Sequence, residues 1–351
     1  MKKHSQIVFL AIFLSAMLLN LKCKKDNPIT PPDATPGRRD YTWFIDTIYA
    51  GGNIIRAIDG VSPSDVWAIS TPGDFSQTFY HFDGTRWSTD GMNREIAPEA
   101  IYAFSSNDIW TVGIGGNIWH YDGNAWNFHS ILTADSSNFY SLEDIGGYSS
   151  TNMYAVGLHS YQGSDIDLHP LVYHFDGNNW LRINIQDVVC TLYKIRFFSP
   201  DKALVLGLKN QNSSTSTDTN KIFLFNGNNL QEIYSGVNGS GAIADIAQIP
   251  GGILMLKGRE LLFFDGINQQ ELITVQNSEF GYSVEGRSIK DVFLGMLDGI
   301  AHYNGSDIEY LYNFSDPNIR GDFIKVFPNS LFINTYNNSK HINIIFRGYL
   351  K

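Results

Sequence analysis

The chain has 351 residues, of which 14% are aromatic and only 17% charged, and 32 are glycine. That length suits two average domains or one large β architecture, and the composition favours short strands and tight turns over helices. The formal net charge is −10, yet seven basic and two acidic side chains precede residue 40, so residues 40–351 carry −15; a body this acidic argues against a nucleic-acid partner.

The first element is a leader. Met1-Lys2-Lys3 is a positive start, Ile7 to Leu19 is apolar, and Cys23 follows Asn20-Leu21-Lys22. About a dozen apolar residues fall short of the roughly 20 that span a membrane, so the segment reads as a secretory signal. It resembles a bacterial lipoprotein signal, with Lys22 where a small residue is usual. The resemblance implies a signal peptide over 1–22 and a lipid on Cys23, which would anchor the protein to a membrane stably. Asn27-Pro28, Thr30-Pro31-Pro32 and Thr35-Pro36-Gly37 then break up a stretch that packs no core, so 23–40 is expected to be a spacer. Cys190 lies in the apolar run Val188-Val189-Cys190-Thr191-Leu192 and reads as a buried small hydrophobe. No cysteine pair supports zinc.

From residue 41 the chain repeats itself. His81-Phe82-Asp83-Gly84-Thr85-Arg86-Trp87 returns as His120-Tyr121-Asp122-Gly123-Asn124-Ala125-Trp126 and as His174-Phe175-Asp176-Gly177-Asn178-Asn179-Trp180. Shorter copies are Leu224-Phe225-Asn226-Gly227, Phe263-Phe264-Asp265-Gly266 and His302-Tyr303-Asn304-Gly305, and Ile345-Phe346-Arg347-Gly348 fits a seventh. The turn residues at 83, 122, 176, 226, 265 and 304 are spaced by 39, 54, 50, 39 and 39. Upstream of each turn is a second element: Asp65-Val66-Trp67, Asp108-Ile109-Trp110, Asn152-Met153-Tyr154 and plainer versions at 202–207, 252–256 and 292–295. Inner-strand candidates precede these at 54–61, 98–104, 142–145, 192–198, 242–247 and 323–327. Each unit thus reads as four short strands with a tight Asp-Gly or Asn-Gly hairpin. Units of this kind are propeller blades. Trp67, Trp87, Trp110, Trp126, Tyr154 and Trp180 are expected to fill the wedges between blades, with Asp83, Asp122, Asp176 and Asp265 in the turns.

The seventh unit runs out after its third strand, while Tyr41 to Ile48 resembles an outer strand. An all-β fold follows: a single seven-bladed β-propeller over 41–351, preferred to six or eight blades, closed by an N-terminal strand that removes the free edges. The repeats resemble a group of bacterial exported propellers built on "Asp-Ile-Trp-Ala-Val-Gly … His-Tyr-Asp-Gly-x-x-Trp" units with lipoprotein-type leaders. That resemblance implies a fold and an exported location. Enzyme labels such as glycosyltransferase, carried by some members, receive no chemical support from the motifs.

Function is expected where the repeat is broken. The link from Gly113 to Asp122 is nine residues, but those from Gly157 to Asp176 and Gly207 to Asn226 are 19. These insertions enlarge one rim. The blade-three insertion offers His159, Tyr161, Asp165, Asp167 and His169 as a ligand-binding rim; Asp165 and Asp167 form an Asp-x-Asp pair of the type that can bind cations, although a solvated loop is the preferred reading. Arg56, Glu143, Asp144, Lys194, Asp245 and Lys325 on inner strands are expected to line the central channel. His81, His120, His174 and His302 recur at one position in separate blades, which suits hydrogen bonding within each blade rather than a shared metal. The Asp-Gly-x-x-Trp turns differ from the sialidase Asp-box, where a residue separates Asp and Gly. No catalytic residue, metal or cofactor is assigned. The preferred function is a non-enzymatic, monomeric binding or scaffold module for a protein or glycan at the cell envelope, exported and lipid-anchored in the periplasm or on the surface. The alternative is a glycan-active enzyme using the enlarged rim.

Overall fold

A computed structural model describes residues 35–351, except 71–73, 134–138, 161–167, 186–187, 210–217 and 238–243. Cys23 and the leader lie outside the described residues. The described strands form seven antiparallel four-stranded sheets. Their inner strands are Ile55–Ser62, Pro98–Ser105, Phe139–Ser149, Thr191–Ser199, Ala244–Ile249, Phe280–Ser288 and Ile319–Phe327. Neighbouring inner strands touch in order, and the seventh touches the first. The fold is a closed seven-bladed β-propeller. The inner strand of blade six was not among the sequence candidates.

Blade seven takes three strands from the C-terminal end and its fourth, Tyr41–Ile48, from the N-terminal end. The closing strand pairs antiparallel with Ile342–Leu350, from Tyr41 opposite Leu350 to Ile48 opposite Asn343. Arg347 and Gly348 therefore do not make the expected seventh turn. They sit mid-strand opposite Phe44 and Trp43, and a Cβ on Gly348 would lie 3.0 Å from the Trp43 ring.

Part of the expected spacer also belongs to the body. The Gly37 amide donates to the Lys290 carbonyl at 2.8 Å. The Arg39 guanidinium donates to the His302 carbonyl at 3.1 Å and pairs with Asp307 at 2.7 Å and Glu309 at 2.9 Å. Gly37 and Arg39 are bound to blade six by chemistry that a solvated spacer lacks.

The turns are looser than two-residue hairpins. Strands end at Phe82 and resume at Trp87, leaving four residues between them. Only the glycine of each repeated turn has positive φ, between 90° and 97° at Gly84, Gly123, Gly177, Gly227, Gly266 and Gly305. A mirror-image two-residue turn needs positive φ at both central positions. Here the Asp side chain organises the loop instead: Asp83 Oδ1 accepts the Thr85 and Arg86 amides at 2.8 and 2.9 Å. Asp122, Asp176 and Asp265 do the same. The backbone amides of Arg86 and Thr85 hold the Asp83 carboxyl below its usual range.

Aromatic rings fill the wedges between the early blades. Trp126 stacks on Phe79 at 4.4 Å and meets Trp67 edge-on at 5.4 Å. Trp110 meets Trp180 at 6.4 Å, Tyr154 meets Phe225 at 5.4 Å, and Trp87 meets Phe332 at 6.5 Å. Between blades four and five the same space is filled by Leu204, Leu206, Ile246, Ile253 and Met255. Burial of equivalent area by aliphatic side chains explains why those repeats lose their signature without losing the blade.

The repeated histidines are likewise structural. His81, His120 and His302 each place Nε2 2.8 Å from the carboxylate opening the second strand, Asp65, Asp108 and Asp291 respectively, and His174 bonds Asn152 at 2.8 Å. Each ring also packs on the adjacent aromatic: Trp67 at 4.3 Å, Trp110 at 4.2 Å, Tyr154 at 4.4 Å and Phe293 at 4.9 Å.

Candidate functional site

Three aspartates on alternate blades tie neighbouring inner strands together. Asp59 of blade one accepts the Ala103 amide of blade two at 2.8 Å, Asp144 of blade three the Ile195 amide of blade four at 2.7 Å, and Asp245 of blade five the Val284 amide of blade six at 2.8 Å. Each also holds a cation. Lys325 of blade seven pairs with Asp59, Arg196 with Asp144 at 2.6 Å, and Lys194 with Asp245 at 2.7 Å. A partly buried charge is tolerated when it is both paired and hydrogen-bonded.

Strand register shows how these groups meet. Asp59, Tyr102, Arg196, Glu285 and Lys325 each lie opposite the second-strand residue equivalent to Trp67, in blades one, two, four, six and seven. They form one layer around the axis. Asp144, Lys194 and Asp245 lie two residues upstream in blades three, four and five and form a second. Glu285 has no ion pair or hydrogen bond among the described residues. Burial pushes its carboxyl up, while the facing charges of Lys194, Lys325 and Arg196 pull it back. For Lys325, burial works against the charge, but Asp59, with Glu285 and Tyr102, outweighs it and its ammonium is raised.

The channel mouth is built from strand irregularities. Register shifts between Ile55 and Ala57, Pro98 and Ala100, Leu142 and Asp144, and Leu192 and Lys194 leave Arg56, Glu99, Glu143 and Tyr193 as bulge residues of four successive blades. A bulge re-aims its side chain. Arg56 Nε donates to Glu99 at 2.9 Å. Burial raises the Glu143 carboxyl; Glu99 adds to that and Arg56 opposes it. The six residues expected along the channel thus divide: Arg56 and Glu143 are bulge residues at the mouth, and Asp144, Lys194, Asp245 and Lys325 join the deeper pairs. Asp59, Glu99, Arg196 and Glu285 belong to the same network and were not among the residues expected along the channel.

Strand direction alternates within a blade, so inner strands begin at the end that carries the second-to-third-strand and blade-to-blade links. Most exposed large apolar residues gather there: Tyr49, Ile54, Met92, Ile114, Ile131, Phe139, Val189, Val237 and Phe323. The opposite face shows only Val61, Tyr148 and Ile267 among the described residues.

At the blade-three rim the described ends of the insertion lengthen a hairpin. His159 and His169 are cross-strand partners within strands Asn152–Ser160 and Leu168–Phe175, with rings 5.4 Å apart. They line a cleft of about 200 Å³ with Arg182 and Asn184. Tyr161, Asp165 and Asp167 lie outside the described residues. Among the described residues no group of three or more His, Cys, Asp or Glu is placed to hold a metal ion.

No protein-family model matches the chain, and no curated protein matches it by sequence. Its likenesses are to solved structures. YCF48 bound to D1 peptide superposes with a TM-score of 0.62 at 15% identity, covering 92% of this chain and 99% of that one. A catalytically inactive virginiamycin B lyase from Staphylococcus aureus, with quinupristin, gives 0.64 at 9% identity, covering 89% and 100%. The WD40 propeller domain of Doa1 gives 0.58 at 12% identity, covering 87% and 96%. At such identities the likeness establishes the propeller fold and leaves function to the side chains.

Proposed function

We propose that this propeller is a non-enzymatic binding module that takes a protein partner on the face where its inner strands begin. The observation that carries this reading is the gathering of exposed apolar side chains around a charged channel mouth, with the opposite face largely spared. Apolar side chains exposed on one face and spared on the other favour that face for contact with a partner. A propeller solved with a peptide, YCF48, shares the architecture, which supports the reading by analogy of fold. The leader and Cys23 support an exported protein held to a membrane by lipid, with a protein or glycan of the cell envelope as partner.

Two measurements test this. Site-specific photocrosslinking from Tyr49 and Phe323 in cells should yield a defined adduct that crosslinkers at Ile267 do not; equal labelling from both faces refutes the assignment of the face. Cys23→Ser should release the protein from the membrane fraction and abolish fatty-acid labelling. If it remains anchored and labelled, the lipoprotein reading fails.

The cleft between His159, His169 and Arg182 favours a second reading, a glycan-active site at the blade-three rim. It requires turnover on a glycoside panel that Asp165→Asn or Asp167→Asn removes while the fold is retained.

A further inference from the structure

The mouth is chemically lopsided. On one side Glu99 and Glu143 come from the bulges of blades two and three, and Arg56 is the cation beside them. The Glu99 side chain is 8% exposed and that of Arg56 is 47% exposed, so the guanidinium lies on the solvent side of the carboxylate. Glu143 has no ion pair among the described residues and is largely enclosed. Next to Arg56, Ile54 just before the inner strand of blade one and Phe323 of the adjoining blade seven present apolar surface, 38% and 44% exposed.

Among the described bulge side chains, two carboxylates face one guanidinium, so this part of the mouth is richer in acid than in base. A carboxylate in a low-dielectric wall attracts a cation more strongly than one in open water. A cation arriving beside Glu143 need not break an existing bridge. The charge of −15 on residues 40–351 also draws basic partners over longer range. A long basic side chain suits this geometry, because its apolar stem lies along apolar surface while its head reaches the acids.

We infer that the mouth receives an arginine or lysine side chain of a partner polypeptide, seated between Glu99 and Glu143, with a neighbouring apolar residue of the same segment laid on Ile54 and Phe323. This rests on the proposed use of that face for binding.

The test uses fluorescent synthetic peptides with a central arginine, lysine, citrulline or glutamate flanked by leucines, titrated against the whole protein by anisotropy. The arginine and lysine peptides should bind at least about tenfold more tightly than the citrulline peptide, and the glutamate peptide should bind weakest. Glu99→Gln together with Glu143→Gln should remove the preference for charge, with an unchanged circular dichroism melt showing that the fold survives. Asp83→Asn, in a turn on the opposite face, should leave it intact. Equal binding of arginine and citrulline peptides overturns the inference, as does no binding of any peptide at millimolar concentration, or a charge preference that survives the double substitution. If Phe323 still crosslinks a defined partner in cells while the peptides show no charge preference, the binding face stands and only the basic occupant is refuted.

Discussion

Asp46 and Arg347 are separated by 301 positions in sequence and meet as a two-pronged ion pair, with Arg347 Nε and Nη2 2.6 and 2.9 Å from the two carboxylate oxygens. Asp46 also accepts the Trp87 indole N–H at 3.0 Å, so one carboxylate joins the closing strand to the last strand of the chain and to blade one. The guanidinium lies over the Phe82 ring at 4.6 Å as well. Asp46→Ala should destabilise the protein by about 2 kcal/mol, the usual cost of removing charge-assisted hydrogen bonds from a half-buried donor. Denaturant melts read the loss, and amide exchange should accelerate first along Tyr41–Ile48. Exchange that rises uniformly over all blades would contradict a local role.

The aspartates of the inner ring should matter more than those of the turns. Asp144→Ala strands both the Ile195 amide and the Arg196 guanidinium, and is expected to cost about 3 kcal/mol. Asp83→Ala in an exposed turn should cost clearly less. Equal losses in urea titrations of the two variants would show that the ring does not depend on these bonds.

Glu285 should make stability depend on pH in an unusual direction. Its folded-state pKa is raised by burial, against the pull of Lys194, Lys325 and Arg196. Its contribution is therefore fully present below the unfolded pKa and is lost as pH rises through the folded value. Glu285→Gln should melt at or above the wild-type temperature at neutral pH, and the difference should close towards pH 4. A variant clearly less stable at neutral pH would mean that the three cations need the carboxylate.

The four stacked histidines should behave as structural parts. Zinc or a chelator should leave the melting temperature unchanged, because each imidazole already bonds within its own blade. His302→Ala should destabilise the protein by about 2–3 kcal/mol, since that ring is fully buried between Asp291 and Phe293. A saturable zinc-induced rise in melting temperature would reopen the metal reading.

Blades one to three were legible because Asp-Gly turns, histidines and indoles recur at fixed offsets, and each has a local physical reason to do so. The closing strand was legible too, since Tyr41 to Ile48 reads like an outer strand without a blade. Blade six hid its inner strand. Phe280–Ser288 mixes Gly, Ser, Glu and Arg with few apolar residues, and its register breaks between Phe280 and Val284, so no alternation signals a strand. Glu285 was lost with it. Asp59 lay within the expected inner strand 54–61, but nothing in that stretch shows that its carboxylate reaches the Ala103 amide and Lys325 of neighbouring blades. The bulges that turn Arg56, Glu99 and Glu143 into the mouth arise from pairing between strands, which no stretch of sequence displays by itself.

The closing strand has a consequence for how the molecule comes into being. Its partner follows all the other described strands along the chain. Whether the protein emerges from a ribosome or from an export channel, Tyr41–Ile48 appears first and must wait for Ile342–Leu350. Until then the ring is an open arc with two unpaired edges, and any partner that needs the complete mouth meets it only after Ile342–Leu350 has been delivered and paired.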